Sequence, residues 1–367
     1  FVLFGGFLVL VFFCLFFVFV FAFLFRRPFW GGGWGGGFRG GAASKLAHLH
    51  SHPRPFSTRG KGVTEWWSKD RHADRRPFLA ARAAIARAVR EWFWAQGFTE
   101  AEPTMLTISP GAETHIDAFE ADGRYLHTSP EFAMKKLLAA GERKLFFLGK
   151  TWRRGESGPL HSPEFTMIEW YRANAPYEEI MDDCIEIVRV AARAANAAML
   201  QWRERSCDPF TAAERISVRD AFAQLCPVPM PSDSDAFSAA LVQHVEPQLG
   251  DGAMTLLTEY PISEAALARR CAHDASVAER FELYACGVEL ANGFGELTDP
   301  VEQRARLVAA MDEKAKLYGT RWPIDEHFLA ALAHMPSSSG VAMGFDRVVM
   351  LATGARHIND VLWTPEG

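Results

Sequence analysis

Helical and strand-like stretches succeed one another in no regular order along this 367-residue chain, and the apolar runs after the first 25 residues are short. Strand signals fall at 124–128, at 145–148 running on to Trp152, at 165–171 and at 281–290. Helical periodicity covers 77–96, 131–140, 177–198, 218–225, 234–249 and 301–318. Without regular strand–helix–strand alternation, a doubly wound parallel sheet is disfavoured. The pattern predicts an α+β fold with a mainly antiparallel sheet flanked by helices. No GxGxxG follows a strand and no GxxxxGK[ST] occurs, so the two commonest nucleotide-binding signatures lose their support.

The folded body is expected from Trp66 to the last residue, 367. Its first helix, over 77–96, carries Ile85, Val89, Trp92 and Phe93 on one face, with Arg82, Arg87 and Arg90 mostly elsewhere. Pro77 suits a first turn and Gly97 a C-cap. The following stretch, 98–106, is strand-like but contains Pro103, which cannot donate to a ladder and so belongs at an edge or an interface. Before this body, residues 26–64 are rich in Gly, Pro, Ser and Arg and read as a disordered linker; His48, His50 and His52 there are taken as solvated. Residues 1–25 are all apolar or Gly. Their Phe-rich low complexity points to translated upstream sequence from an over-extended gene start. A transmembrane anchor, flanked by Arg26 and Arg27, is the competing reading.

The net charge of −5 offers no basic surplus for gripping a nucleic acid backbone. Six widely spaced cysteines include no CxxC pair, so neither a zinc site nor a disulfide framework is suggested. Free thiols in a reducing compartment, the cytoplasm, are expected.

Chemistry concentrates in four clusters. Thr128-Ser129-Pro130-Glu131 opens a helix, where Ser129 can cap and Glu131 is favoured by the dipole. Trp152-Arg153-Arg154-Gly155-Glu156, followed by His161-Ser162-Pro163-Glu164-Phe165, places an arginine at a strand end; its planar fork of donors matches phosphate or carboxylate. Glu289-Leu290-Ala291-Asn292-Gly293-Phe294-Gly295-Glu296 sets two carboxylates and an amide in a glycine-rich strand, a pattern suited to a divalent cation or an ammonium. Gly340-Val341-Ala342-Met343-Gly344-Phe345-Asp346-Arg347 leads an arginine into a helix start, a ready polyphosphate site.

Together these clusters, in this order, resemble the signature motifs of the class II aminoacyl-tRNA synthetases over about residues 66–363, with Pro103 resembling the dimer-interface motif. SPE, HSPEFTMIEWY and ELANGFGEL look like the lysine branch, which holds lysyl-tRNA synthetase and its truncated relative, the elongation factor P lysyl-ligase. Two features resemble the ligase: only 65 residues precede Trp66, too few for the OB-fold that reads the anticodon, and Ala342 stands where the synthetases usually carry Gly. The resemblance implies ATP-dependent activation of lysine or β-lysine as the adenylate, transfer to a lysine of elongation factor P, a homodimer, and no tRNA partner. Charging of tRNA, or a non-catalytic regulatory paralogue, are the alternatives.

Roles implied by the resemblance follow. Arg153 holds the ATP α-phosphate, Phe165 stacks on adenine, and Arg347 clamps the γ-phosphate with Gly344 letting the backbone approach. Glu156, Ser162 and Leu290 complete the ATP site, and Glu289 ligates Mg2+. Ser129, Pro130, Glu131, Tyr171, Asn292 and Glu296 line the amino acid site. Arg153-Arg154-Gly155-Glu156 departs from the commoner RNEE, and Ser162 replaces a common Asn.

Overall fold

The computed structural model describes residues 65–365. The expectations for 1–25 and 26–64, with Cys14 and the three linker histidines, lie outside the described residues.

The first helix, α1 (Lys69–Ala95), begins well before 77, so Pro77 sits in its interior rather than its first turn. Ser68 caps it by accepting from the Arg71 amide. The added turns, Lys69 to Arg76, are almost wholly polar and show no apolar stripe, which is why periodicity missed them. They are held by side-chain bonds instead: Arg71 pairs with Asp360 at 3.0 Å, and buried Arg75 donates to the Leu362 carbonyl. Gly97 ends the helix in the left-handed region (φ +77°), allowing the Phe98 amide to reach the Phe93 carbonyl.

One eight-stranded sheet organises the rest. In chain order its strands are β1 (Thr99–Glu100), β2 (Lys144–Trp152), β3 (Glu164–Ala173), β4 (Glu214–Ser217), β5 (Thr255–Pro261), β6 (Val277–Ala285), β7 (Val288–Gly295) and β8 (Ser338–Gly344). They lie in the spatial order β1-β2-β3-β8-β7-β6-β5-β4. The six central strands are antiparallel and only the two outermost pairings are parallel. The α+β expectation holds.

Three local readings are corrected. Of 98–106, only Thr99–Glu100 pairs in this sheet; Pro103 falls in unpaired chain, and Leu106–Thr107 joins a separate small sheet. The single strand read at 281–290 is a hairpin whose turn, Cys286-Gly287, has φ of +56° and +71° at both positions. The 234–249 helix is α-helical only over Ser234–Ala240 before passing into π and 3-10 turns, where Pro247 cannot supply an amide.

Strand alternation divides the sheet into two faces. Phe146, Ile168, Trp170, Phe281, Leu283, Val341 and Met343 point into the main core with Ile85, Val89 and Phe93 of α1, and with α3 (Tyr177–Ala194) and α6 (Phe345–Thr353). Burying each of these large side chains stabilises the fold by roughly 1.5–3 kcal/mol. The opposite face carries polar groups, flanked by a second cluster in which α2 (Glu131–Ala139) and α5 (Glu326–Leu332) meet through stacked Phe132 and Phe328. A further helix, α4 (Pro300–Tyr318), is capped by Asp299. Among the described residues no helix is long and apolar enough to cross a membrane.

Candidate active site

The polar face of the sheet is read directly from the register. Glu169 of β3 lies opposite Ala342 of β8, which lies opposite Asn292 of β7, which lies opposite Glu282 of β6. One row away, Tyr171, Gly340, Phe294 and Arg280 are aligned in the same way. Directly paired residues project to the same side, so strands distant in sequence make one floor. A side chain at Gly340 would meet the Tyr171 ring at 2.2 Å and the Glu296 carboxylate at 2.6 Å, so only glycine fits beneath them. The floor belongs to a cavity of about 200 Å³.

At one end three carboxylates gather, and two of them share a single lysine. Lys135 of α2 is fully buried and lies 2.5 Å from Glu131 and 2.6 Å from Glu296. Burial opposes its charge, but the two acids overcome that and hold the ammonium firmly protonated. Glu169, 1% exposed, has no such cation in contact. It accepts hydrogen bonds from Ser129 at 2.6 Å and Tyr171 at 2.8 Å. Burial, reinforced by the charge of Glu131, still pushes its carboxyl up to about 8. Ser129 also accepts from the Glu131 amide at 3.0 Å, capping α2 from one residue further back than usual. The buried Asn292 Oδ1 has no hydrogen-bond partner. A buried carboxyl without a counter-charge and an acceptor without a donor on one floor call for a ligand that donates, and best a cation.

Arginines gather at the other end. Arg347, in the first turn of α6, donates to the Glu289 carbonyl at 2.8 Å and to its carboxylate at 3.3 Å, with its other branch 2.7 Å from His161 Nε2. Arg153 lies over the Phe165 ring at 5.3 Å and faces Glu156 at 3.9 Å. Asp346 anchors the start of α6: it accepts from the Thr166 amide at 2.7 Å and from buried Arg82 of α1. Glu282 is bound by Arg280 at 2.8 Å and by Tyr284 at 2.5 Å. Burial, with Glu282 and Glu289 nearby, pushes Glu246 up to about 7. Three acids therefore crowd the sheet beside the arginines, although no group of three or more His, Cys, Asp or Glu among the described residues is arranged to hold a metal unaided. Two carboxylates completed by phosphate oxygens is nonetheless a donor set that suits a hard cation.

Every candidate residue read from the sequence borders this one cavity except Pro130: Ser129, Glu131, Arg153, Glu156, Ser162, Phe165, Tyr171, Glu289, Leu290, Asn292, Glu296, Gly344 and Arg347. Pro130 is the N-cap of α2 and faces a small neighbouring pocket. Sequence reasoning overlooked Lys135 and Glu282, and it gave no role to His161 and Glu169 although both lie within the HSPEFTMIEWY string. For Glu169 the signal was available, since strand alternation puts it on the face of Tyr171.

The family model described as tRNA synthetases class II (D, K and N) matches residues 64–366. The chain belongs to this family. Within it, the chain is 37% identical over 305 residues to an elongation factor P--(R)-beta-lysine ligase of Edwardsiella ictaluri, covering 77% of this chain and 93% of the relative. It is 38% identical to the ligase of the same name from Salmonella arizonae and 36% to that from Vibrio cholerae, each over 78% of this chain and 94% of the relative.

Proposed function

We propose that the protein is an ATP-dependent ligase that activates a β-lysine-type amino acid as its adenylate and transfers it to a lysine side chain of elongation factor P. The observation that carries this reading is the floor formed by Glu169, Ala342 and Asn292. It joins an end that demands a cationic ligand to an end built for a polyphosphate, and the names of the relatives support the same substrates.

In this reading the ammonium groups of the amino acid meet Glu169, Tyr171 and Asn292. Lys135 offsets Glu131 and Glu296, so the pocket is tuned to a small number of positive charges rather than flooded with negative ones. The substrate carboxylate is thereby held toward the phosphate end. It attacks the α-phosphorus of ATP in line, the bond to the β-phosphate breaks, and pyrophosphate departs. Arg153 stabilises the charge that grows on the α-phosphate, Arg347 clamps the departing phosphates, and Phe165 supports the adenine. Ser162 and Glu156 flank the nucleotide. Glu289 and Glu282 would hold Mg2+, which supplies charge neutralisation to the phosphates when bound. For the arginine and the cation to engage phosphate, the Arg347–Glu289 contact has to loosen. No protein nucleophile is needed, because positioning and electrostatics supply the catalysis.

ATP–pyrophosphate exchange tests the reading, with α-lysine, (R)-β-lysine and unrelated amino acids in parallel. Exchange confined to lysine-type acids, strongest with β-lysine, is the expected result. Folded protein that exchanges with none of them would sink it.

A further inference from the structure

A second cavity, about 480 Å³, lies against the first and shares Glu113, Ile116 and Phe294 with it. Its walls come from the 112–116 segment, the 262–267 turn and α4. Nothing in the activation half-reaction uses it. Two features point to a ligand. Gln303 of α4 is 0% exposed and borders this cavity, yet both atoms of its side-chain amide lack a hydrogen-bond partner. Glu113, at the threshold between the cavities, makes no side-chain hydrogen bond or ion pair among the described residues.

The charge balance selects the kind of ligand. The arginines on these walls are already engaged. Arg280 donates to the Glu264 carbonyl at 2.5 Å and to Glu282 at 2.8 Å. Arg306 donates to the Ala266 and Ala268 carbonyls at 2.9 and 2.8 Å and to Glu302 at 2.6 Å. Glu113 and Glu313 carry the negative charge left on these walls, and the cation nearest Glu113, the Lys314 ammonium, is already committed to two backbone carbonyls, so a cationic ligand is favoured. The position of Glu113 is fixed, because buried Lys314 of α4 donates to the carbonyls of Thr114 and Ile116 on either side of it, at 2.9 and 2.5 Å.

We infer that this second cavity is the entry for the acceptor: it takes the aliphatic, ammonium-tipped side chain of the protein lysine, with Glu113 receiving the ammonium at the threshold of the reaction cavity. The inference rests on the adenylation reading above and adds where the second substrate enters.

Ala309 is an exposed residue of α4 that borders only the second cavity, so A309W fills that space and leaves the reaction cavity untouched. Three readouts are compared with the wild-type protein: pyrophosphate exchange with β-lysine, hydroxamate formation with hydroxylamine, and transfer to elongation factor P. Hydroxylamine is small enough to trap an adenylate without help from the second cavity. A309W is expected to keep exchange and hydroxamate formation within about twofold while transfer falls by about tenfold or more. E113Q is expected to raise the KM for elongation factor P by about tenfold, with E113D recovering part of it. Wild-type transfer by A309W, or parallel loss of all three readouts, overturns the inference. A wild-type protein that gives no exchange overturns the adenylation reading and this inference with it, and is told apart because it fails before any acceptor is added.

Discussion

Glu169 decides how the empty site is charged. Its carboxyl is raised to about 8, so at pH 7 it is mostly protonated while the cavity is empty. An ammonium ligand favours the carboxylate, so binding a lysine-type acid near pH 7 should release a proton. Above about pH 9 the proton is already gone and the release vanishes. Calorimetry of binding in buffers of different ionisation enthalpy reads this directly, and E169Q should abolish it. That variant should also lose lysine-dependent exchange by on the order of 100-fold, because a buried ammonium loses its counter-charge. Lys135 makes the opposite case. K135M leaves Glu131 and Glu296 buried without their cation, and should lower unfolding stability by about 3–5 kcal/mol in denaturant titration. Glu169 was legible in the sequence through simple alternation with Tyr171. Lys135 was not, because a lysine four residues after a glutamate on a helix is the ordinary mark of an exposed pair. Only the fold brings Glu296, 161 positions along the chain, to its other side.

At the scale of the element, what matters is how strands and helix starts are held in register. The glycine-rich strand and the arginine-led helix were recognisable because their residue types are costly to misplace. The hairpin at Cys286-Gly287 was not, since Cys is a poor indicator of a left-handed turn. The extended start of α1 was also hidden, because its anchors are polar and their partners lie near the far end of the sequence. Two substitutions test this level. G340A forces a methyl group against Tyr171 and Glu296, and should cost about 1–3 kcal/mol in thermal unfolding while reducing exchange more than an equally destabilised core variant does. R82L leaves the Asp346 carboxylate buried with only the Thr166 amide for company. It should destabilise by about 3–5 kcal/mol and raise the KM for ATP, since Asp346 sets the start of the helix that presents Arg347.

For the whole molecule, residues from Ser129 to Arg347 have to converge before either end of the cavity exists. All of them lie within the compact unit 62–367. A protein beginning at Gly62 is expected to show the same exchange rate and KM values as the full chain; a clear loss would assign residues 1–61 a part in the reaction. The convergence also makes occupancy visible without turnover. A ligand spanning the floor would fasten together β3, β7, β8 and the start of α6, and unfolding must undo all of these contacts at once. Any compound that occupies the folded cavity and not the open chain raises the melting temperature as its concentration exceeds its Kd. Acyl donors could therefore be ranked by thermal shift alone, even on a variant such as R153A in which the chemistry has been silenced. The folded domain would then report its own substrate preference as heat resistance.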